Sequence, residues 1–507
     1  MKRLSVTVAV VAAITAATSS LPVGAETNGH ASTSAGTRSL SFGSCDGFNV
    51  YDSRARCGFL VVPLDYAHPN GPTIKLAVSE VPHTSSAADY QGAILVNPGG
   101  PGGSGLALSS LGRAVPNGVG GDYDWIGFDP RGVGQSKPAL HCLRHYFHFD
   151  RPDYRPRTAH LMQVWKDRSR HYADACAEKH PNLIQHLTTA DSARDMDALR
   201  QALGQRQISF YGFSYGTYLG QVYASMFPSH LRRMVLDSSV DPRRVWYAAN
   251  LDQDRAFNRN SNIWFHWLAK YHSHFHLGQT TKAVRERWYA ALNTLAAHPA
   301  GGKLGPAEWT DAYLYAGYYR STWVSLGNAF SRYVHGGHWR PTANFYSSST
   351  DRSDDNSYAG YLGVECTDAH WPAHWSRWRD DSRRVAAKAP FMTWDNTWFN
   401  APCHWWHAPA RTPVTIDGSH VRSALLIDET LDAATPFAGS LEVRRLFPNS
   451  SLIAEPGGAT HADTLSGDGC VDNRIARYLA TGHRPPRASG DGPDYLCKPL
   501  PDPVPTG

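Results

Sequence analysis

The chain has 507 residues, of which 42% are hydrophobic, 18% charged and 11% aromatic, and its formal net charge is +5. This composition excludes a mainly disordered chain, and the length excludes a single small module. Lys and Arg are scattered among Asp and Glu, so the charge pattern gives no support for nucleic-acid binding.

The first 40 residues have the features of an export signal. Residues 1–3 carry two positive charges and lead into the apolar run 4–17, which is shorter than the ~20 residues that span a bilayer. Small residues at 23–25 offer a cleavage site. We expect residues 1–25 to be a signal peptide and residues 26–40 a flexible leader or pro-segment, and we expect the protein to be secreted, without a membrane span.

All eight cysteines lie beyond the predicted signal peptide. An even number of cysteines in an exported chain predicts disulfides. The sequence does not determine the pairing, but the short separations favour neighbours along the chain: Cys45–Cys57, Cys142–Cys176, Cys366–Cys403 and Cys470–Cys497.

No metal site is predicted. The paired Cys-x-x-Cys and the His-Glu-x-x-His patterns of zinc sites are both absent from the sequence. The pairs His141/His145 and His370/His374 have ligand-like spacing, but with 25 histidines in the chain such a pair is expected by chance.

Helical patterns alternate with short apolar runs. In residues 191–203, for example, Met196, Leu199 and Leu203 recur at helical spacing before Gly204. This alternation predicts an α/β fold with a mostly parallel sheet and helices on both faces. The runs that predict buried strands are residues 93–96, 125–128, 208–211, 234–236, 424–427 and 452–454.

From residue 241 to residue 412 the strand pattern stops and aromatic stretches with helical spacing take over. We interpret 241–412 as a large, mainly helical cap inserted between two parts of the core, residues 41–240 and 413–499. Seven tryptophans in residues 371–406 either line a pocket or pack the insertion, and packing is the more common role of buried aromatic residues.

The strongest chemical signal is the pattern Gly212-x-Ser214-x-Gly216. The apolar run 208–211 precedes it and a helical pattern, residues 217–227, follows it. A tight turn from strand to helix exposes the central serine, and the flanking glycines remove side chains that would collide there. Ser214 is therefore the predicted nucleophile.

A glycine-rich segment, residues 97–105, follows an earlier strand. Such a loop brings backbone N–H donors close to a developing oxyanion. A phosphate-binding loop is the alternative, but the Lys-Ser/Thr pair of such loops is missing and two prolines remove N–H donors.

The acid and the base of this type of site follow the serine in the order Ser, acid, His. His461 comes after the predicted strand 452–454, at the edge of the sheet where sites in α/β proteins form. Position along the chain favours Asp432 over Asp428 as the acid only modestly. Three carboxylates compete for that role after the strand 424–427: Asp428, Glu429 and Asp432.

Four motifs together resemble the secreted tripeptidyl aminopeptidases of actinobacteria, which belong to the prolyl aminopeptidase-like α/β-hydrolases. The resemblance covers nearly the whole chain from Cys45 to Cys497. The motifs are Asn-Pro-Gly-Gly-Pro-Gly-Gly-Ser-Gly (97–105), Asp-Pro-Arg-Gly-Val-Gly-Gln-Ser (129–136), Gly-Phe-Ser-Tyr-Gly-Thr-Tyr-Leu-Gly (212–220) and Leu-Asp-Ala-Ala-Thr-Pro (431–436).

The resemblance implies an α/β-hydrolase fold with Ser214 as nucleophile, Asp432 as acid and His461 as base. It also implies an oxyanion hole made by the N–H groups of Gly100 and Tyr215. No metal or organic cofactor is expected, and no obligate protein partner is evident.

Two departures from the family pattern stand out. The family histidine usually follows glycine directly, whereas here the segment reads Gly458-Ala-Thr-His461. Asp428 and Glu429 stand where the family tends to have glutamine and glycine. Both departures leave the residue types of the triad intact, so they bear on substrate preference more than on the chemistry.

The expected function is a secreted serine hydrolase that releases short peptides from free N-termini through an acyl-enzyme. A carboxylesterase or tailoring hydrolase with the same triad is the alternative. A catalytically silent binding protein is a third, but no triad member is missing.

An aminopeptidase needs an anionic partner for the substrate's α-ammonium. Glu365 and Asp368 flank Cys366, and Asp368 is preferred because the family's Cys-x-Asp motif falls on residues 366–368. Ordinary solvated carboxylates are the alternative. Thr435, beside the predicted acid, is a further candidate for substrate binding.

Overall fold

The computed structural model describes residues 40–506. The predicted signal peptide lies outside the described residues, and so does the predicted leader except for its last residue. In the described part of the chain nine strands follow one another: β1 (Arg56–Pro63), β2 (Thr73–Val81), β3 (Ala93–Asn97), β4 (Asp124–Phe128), β5 (Ile208–Phe213), β6 (Leu231–Asp237), β7 (Ala424–Glu429), β8 (Ser450–Glu455) and β9 (Tyr495–Leu496).

The described part of the chain also forms α-helices and several short 3₁₀ turns. In chain order the helices are α1 (Ala159–Lys179), α2 (Thr189–Ala202), α3 (Tyr215–Met226), α4 (Tyr247–Lys270), α5 (His272–Phe275), α6 (Thr281–Ala297), α7 (Pro306–Tyr318), α8 (Trp323–Gly336), α9 (Arg340–Ser349), α10 (Asn356–Asp368), α11 (Trp375–Ala386), α12 (Thr393–Asn400), α13 (Ala438–Leu446) and α14 (Gly469–Thr481). None of these helices is both long and apolar enough to cross a membrane.

The strands form one sheet in the order β1-β2-β4-β3-β5-β6-β7-β8-β9. The pairs β1/β2 and β2/β4 are antiparallel, and all other neighbouring pairs are parallel. Within β3, Leu95 packs in the same core as α2 and α3, whereas Ile94 and Val96 pack in the core that contains α14. Helices therefore cover both faces of a mostly parallel sheet, and the predicted fold class is confirmed.

The six apolar runs correspond to β3 through β8. They do not predict β1, β2 or β9. In β2 the polar residues Lys75, Ser79 and Glu80 interrupt the apolar pattern, and β9 has only two residues. Antiparallel strands near one edge of the sheet need no continuous apolar run.

Between β6 and β7 the chain forms helices α4 to α12. They have a hydrophobic core of their own, in which Trp264, Trp288, Trp309 and Trp323 are buried. Helix α1 precedes β5, yet its Trp165 stacks on a tryptophan of α12. Helix α1, which lies outside the predicted insertion, thus packs against the helices of the insertion. The boundaries given above for the core and the insertion stay predictions.

The tryptophans in residues 371–406 pack mainly on one another. Ring centroids are 5.3 Å apart between Trp371 and Trp378, 5.8 Å between Trp375 and Trp378, and 5.3 Å between Trp375 and Trp398. Each such pair contributes about 0.5–1.5 kcal/mol beyond its buried area. Packing is therefore the role that the structure shows for this cluster.

Four disulfides are present, and they join the pairs that the short separations favour: Cys45–Cys57, Cys142–Cys176, Cys366–Cys403 and Cys470–Cys497. No cysteine in the described chain is free. The Cys366–Cys403 bond ties α10 to the turn that follows α12.

A digest made without reductant should yield these four linked peptide pairs in a mass spectrum. Because a disulfide restricts the unfolded chain, reducing one bond should lower the free energy of unfolding by about 2–5 kcal/mol. Thermal melting with and without reductant measures that loss. Several free thiols, or an activity that requires reductant, would contradict the assignment.

Candidate active site

Ser214 stands at the sharp turn between β5 and α3, with φ 55° and ψ −127°. A non-glycine residue with positive φ is strained, so its surroundings must hold it. Its N–H donates to the Asp237 carbonyl oxygen at 3.1 Å. A Cβ on Gly212 would lie 2.5 Å from the carbonyl oxygen of Gly216, and a Cβ on Gly216 would lie 2.5 Å from that of Asn97. Only glycine fits at both positions.

The glycine-rich loop after β3 lies directly against this turn. Gly99 and Gly100 have φ values of 90° and 113°, which favour glycine. A Cβ on Gly99 would lie 2.6 Å from the Phe213 carbonyl oxygen and 2.8 Å from the Tyr215 nitrogen. Within the described chain neither the Gly100 N–H nor the Tyr215 N–H has an acceptor. Two unused donors beside Ser214 are what an oxyanion hole requires.

His461 and Asp432 form a buried pair, with Nδ1 of the ring 2.7 Å from Oδ2 of the carboxylate. The other carboxylate oxygen accepts the N–H groups of Ala434 at 2.8 Å and Thr435 at 3.1 Å. The Thr435 hydroxyl donates to Oδ2 at 3.0 Å. These donors fix the carboxylate, which in turn holds the proton on Nδ1 and leaves Nε2 to act as a base.

The environment of His461 favours the imidazolium that a general base becomes. Burial lowers the pKa of the ring, but the charge and hydrogen bond of Asp432, together with the charge of Asp237, outweigh burial and raise it. The proton taken from a serine is therefore stabilised on the ring.

Three backbone hydrogen bonds fix the loop that carries His461. The His461 N–H donates to the Tyr318 carbonyl oxygen at 2.9 Å. The Ala462 N–H donates to Ser238 Oγ at 2.9 Å, and the Thr464 N–H donates to the carboxylate of Asp237, the last residue of β6, at 3.0 Å. The loop is thus tied both to the sheet edge and to the end of α7.

Ser214, Asp432 and His461 lie past the carboxyl ends of β5, β7 and β8, at one edge of the sheet. The ring bonds of His461 go to Asp432 and Thr435, and in the described chain no hydrogen bond joins the ring to Ser214. Such bonds often form only when substrate is present. The structure brings the three residues to one edge, and their catalytic roles stay predictions.

The two competing carboxylates have other partners. Asp428 accepts the Ser440 hydroxyl at 2.6 Å, and Glu429 accepts the Thr460 N–H. Neither forms a hydrogen bond with His461, so the geometry favours Asp432 as the residue that orients the ring.

A cavity of about 1890 Å³ opens over Ser214, between the sheet edge and the insertion. Tyr215 and Thr435 line it from the core, and Glu365 and Asp395 line it from α10 and α12. Its size exceeds that of ordinary small-molecule pockets, and a peptide segment fits this volume.

Glu365 is buried on the cavity wall without a cationic partner in the described chain. Its carboxylate lies 3.5 Å from Asn250 Nδ2. Burial raises the pKa of Glu365 to about 8, against the lowering effect of hydrogen bonds from Tyr361 and Asn250. The side chain is an acid without a counter-ion in the described chain, and it lines the same cavity as Ser214.

Asp368 is not on the cavity wall, contrary to its predicted preference over Glu365. Its carboxylate accepts the N–H and the hydroxyl of Thr189 at 2.7 and 2.5 Å. The Thr189 hydroxyl also contacts the Tyr215 phenol at 2.7 Å. Asp368 therefore fastens the end of α10 to the start of α2.

Three further residues contribute to the site. Asn97 Oδ1 accepts the Gly99 N–H at 2.9 Å and so shapes the glycine loop. Tyr318 supports His461 through a backbone oxygen, for which the sequence offers no signal. Asp395 belongs to no motif, and only the packing of α12 reveals that it faces the cavity.

One group of potential metal ligands exists among the described residues: His141, Asp354 and Asp355, whose ligand atoms lie within 4.8 Å of one another. His141 Nδ1 is 2.7 Å from Asp354 Oδ1, and this contact chiefly raises the pKa of His141 to about 9. The contact that the structure shows for this group is the ion pair between His141 and Asp354. His145 bonds instead to the Arg352 carbonyl oxygen.

Comparison with known proteins gives two family matches. A family model described as "alpha/beta hydrolase fold" matches residues 92–367, and one described as "TAP-like protein" matches residues 389–491. The chain is 39% identical to a tripeptidyl aminopeptidase of Streptomyces lividans over 465 residues, which cover 89% of this chain and 85% of that protein. It is 31% identical to carboxylesterase B of Mycobacterium tuberculosis, over 88% of each chain, and 29% identical to the serine protease Hip1 of the same organism, over 85% of this chain and 86% of that one.

Replacing Asp432 by Asn should lower kcat by about 10⁴-fold, because the amide favours the wrong tautomer of His461. Asp428→Asn is the matched control and should have a much smaller effect, since Asp428 bonds to Ser440. Steady-state kinetics of both variants measures the difference. The opposite ranking would transfer the role of the acid to Asp428.

Proposed function

The chain belongs to the tripeptidyl aminopeptidase family of the α/β-hydrolases, and from this we propose that it is a serine exopeptidase that removes short peptides from free N-termini. The family matches, the Ser214 turn, the unused N–H donors and the His461–Asp432 pair support the hydrolase chemistry. The buried carboxyl of Glu365 in the same cavity is the observation that favours peptides with a free N-terminus as substrates.

In the proposed reaction, Ser214 Oγ attacks a peptide carbonyl carbon while His461 Nε2 takes the hydroxyl proton. The N–H groups of Gly100 and Tyr215 donate to the oxyanion, and one such donor contributes about 2.7–4 kcal/mol to lowering the barrier. His461 then gives the proton to the leaving amine as the C–N bond breaks. Water hydrolyses the resulting ester by the same steps, and Ser214 is regenerated.

An exopeptidase needs an anionic partner for the substrate's α-ammonium, which an endopeptidase does not need, and Glu365 supplies that partner. An α-ammonium that enters a partly dehydrated cavity loses hydration energy, which an anionic partner restores. Glu365 and Ser214 line the same cavity. The proposed ammonium site and the proposed nucleophile are therefore open to one bound peptide.

The proposed setting is extracellular. Four disulfides fit a compartment in which thiols are oxidised, and the predicted signal peptide provides the route there. The proposed partner is a peptide substrate with a free N-terminus.

An esterase is the second candidate, because a relative that covers the same length is named carboxylesterase B. Both functions use the same triad, and they differ in whether a charged N-terminus contributes to binding. Small neutral esters therefore serve as the reference substrate in the experiments below.

Replacing Glu365 by Gln should raise KM for free tripeptide substrates by about 10- to 100-fold, because a charged hydrogen bond worth about 1.5–3 kcal/mol is lost. Turnover of a small neutral ester should change little. In the unmodified enzyme, acetylation of the peptide's N-terminus should likewise raise KM for the peptide. Kinetics on free peptides, acetylated peptides and esters makes the comparison.

Asp368→Asn is the matched control, since its carboxylate binds Thr189 outside the cavity, and it should affect thermal stability more than KM. Asp395→Asn tests another of the acids on the wall. Equal cleavage of acetylated and free peptides would overturn the exopeptidase proposal and leave the esterase.

KM for free peptides should be lowest near pH 8. Below that pH Glu365 is mostly protonated in the free enzyme, because its pKa is raised to about 8, and it must release a proton to pair with an ammonium. Above about pH 8 the substrate's own amine loses its proton. KM measured against pH in the parent enzyme and in Glu365→Gln tests this, and the variant should lack the rise of KM on the acid side.

A further inference from the structure

The two sequence departures noted above meet in the folded chain. Glu429 is the last residue of β7, and its Oε2 accepts the N–H of Thr460, the residue that precedes His461. The bond spans 31 positions of the sequence and joins the strand that leads to Asp432 with the loop that carries the ring.

The loop is shaped around this carboxyl group. A Cβ on Gly458 would lie 2.5 Å from the carboxyl carbon of Glu429, so only glycine leaves room for it. The Leu431 N–H donates to the Gly458 carbonyl oxygen at 2.8 Å, and the Gly457 N–H donates to Thr430 Oγ1 at 2.9 Å. Glu429 is thus enclosed by the segment that it bonds.

We propose that Glu429 is a positioning residue for His461: its carboxyl oxygen holds the Thr460 N–H and thereby sets the backbone from which the imidazole projects. Glu429 touches neither substrate nor the reacting atoms. The inference rests on the proposed function in one respect, namely that His461 acts as the base.

Burial favours the neutral form of Glu429. Burial raises the pKa of Glu429 to about 8, although the Thr460 bond and the charge of Arg320 lower it, while Asp463 and Asp432 raise it further. The neighbouring acids Asp428 and Glu455 also have raised pKa values, chiefly through burial. A neutral carboxyl still accepts the N–H through its carbonyl oxygen, and it adds no negative charge beside Asp432.

The raised pKa has a defined effect on stability. The ordinary pKa of this group is 4.5, so between pH 4.5 and about 8 the folded state holds a proton that the unfolded state has lost. Stability therefore falls as pH rises through this window. A glutamine at position 429 keeps the accepting oxygen and removes the titration.

The experiment compares Glu429→Gln and Glu429→Ala with the parent enzyme. Glu80→Gln is the matched control, because Glu80 is a buried strand carboxyl whose pKa burial also raises. It lies on β2, and four strands separate β2 from β7 in the sheet. The measurements are kcat and KM on a free tripeptide, the rate at which an organophosphonate labels Ser214, and Tm from about pH 4 to about pH 9.

We expect Glu429→Ala to lower kcat and the labelling rate by about 10- to 100-fold with KM nearly unchanged, because the base is misplaced. Glu429→Gln should restore both to within about 2-fold of the parent. Its Tm should exceed that of the parent by a margin that grows from pH 4.5 to about 8. Glu80→Gln should leave kcat unchanged.

Two outcomes overturn the inference. If Glu429→Ala keeps the parent kcat and labelling rate, Glu429 does not position His461. If Glu429→Ala changes KM and kcat together and Glu429→Gln fails to restore them, the residue is merely structural. Failure of the proposed function itself looks different, because the parent enzyme would then neither cleave the peptide nor label at Ser214.

Discussion

The close packing of two backbone segments at the carboxyl edge of the sheet is the constraint on which the rest of the site depends. β3 and β5 are parallel neighbours with Asn97 opposite Gly212, so the loops that follow them leave the sheet side by side. Because Gly99 has no Cβ, the first loop can lie against the Ser214 turn. The strained φ of Ser214 and the two unused N–H donors lie at this contact.

Several acids lie near His461 at the carboxyl edge of the sheet, and burial affects their pKa values. Asp432 receives two N–H groups and a hydroxyl besides the imidazole. Glu429 and Glu455 lie within reach of the same region, and burial raises their pKa values to about 8 and about 10. Asp432 is then the main carboxylate that acts on the imidazole, and the charge of Asp237 adds a smaller effect in the same direction.

The positions of the predicted site residues at the sheet edge could largely be predicted from the sequence, because each of the signals is local. The Ser214 turn, the glycine loop and the segments that end in Asp432 and His461 all sit immediately after strands, where a short pattern determines the geometry. Orientation within the insertion was not readable: Glu365 and Asp368 are three positions apart on α10, yet only packing decides which faces the cavity. Support from a backbone oxygen, as at Tyr318, leaves no trace in a side-chain pattern.

The bond between the His461 N–H and the Tyr318 carbonyl oxygen limits how this scaffold can diversify. The insertion is a part of the chain in which new specificities would ordinarily arise, since its side chains line the cavity while the sheet edge carries the predicted catalytic residues. The last turn of α7 is an exception, because it holds the imidazole loop. A chimaera whose insertion comes from a relative would therefore need the last turn of α7 in the same register, so that the Tyr318 carbonyl oxygen still holds the His461 loop.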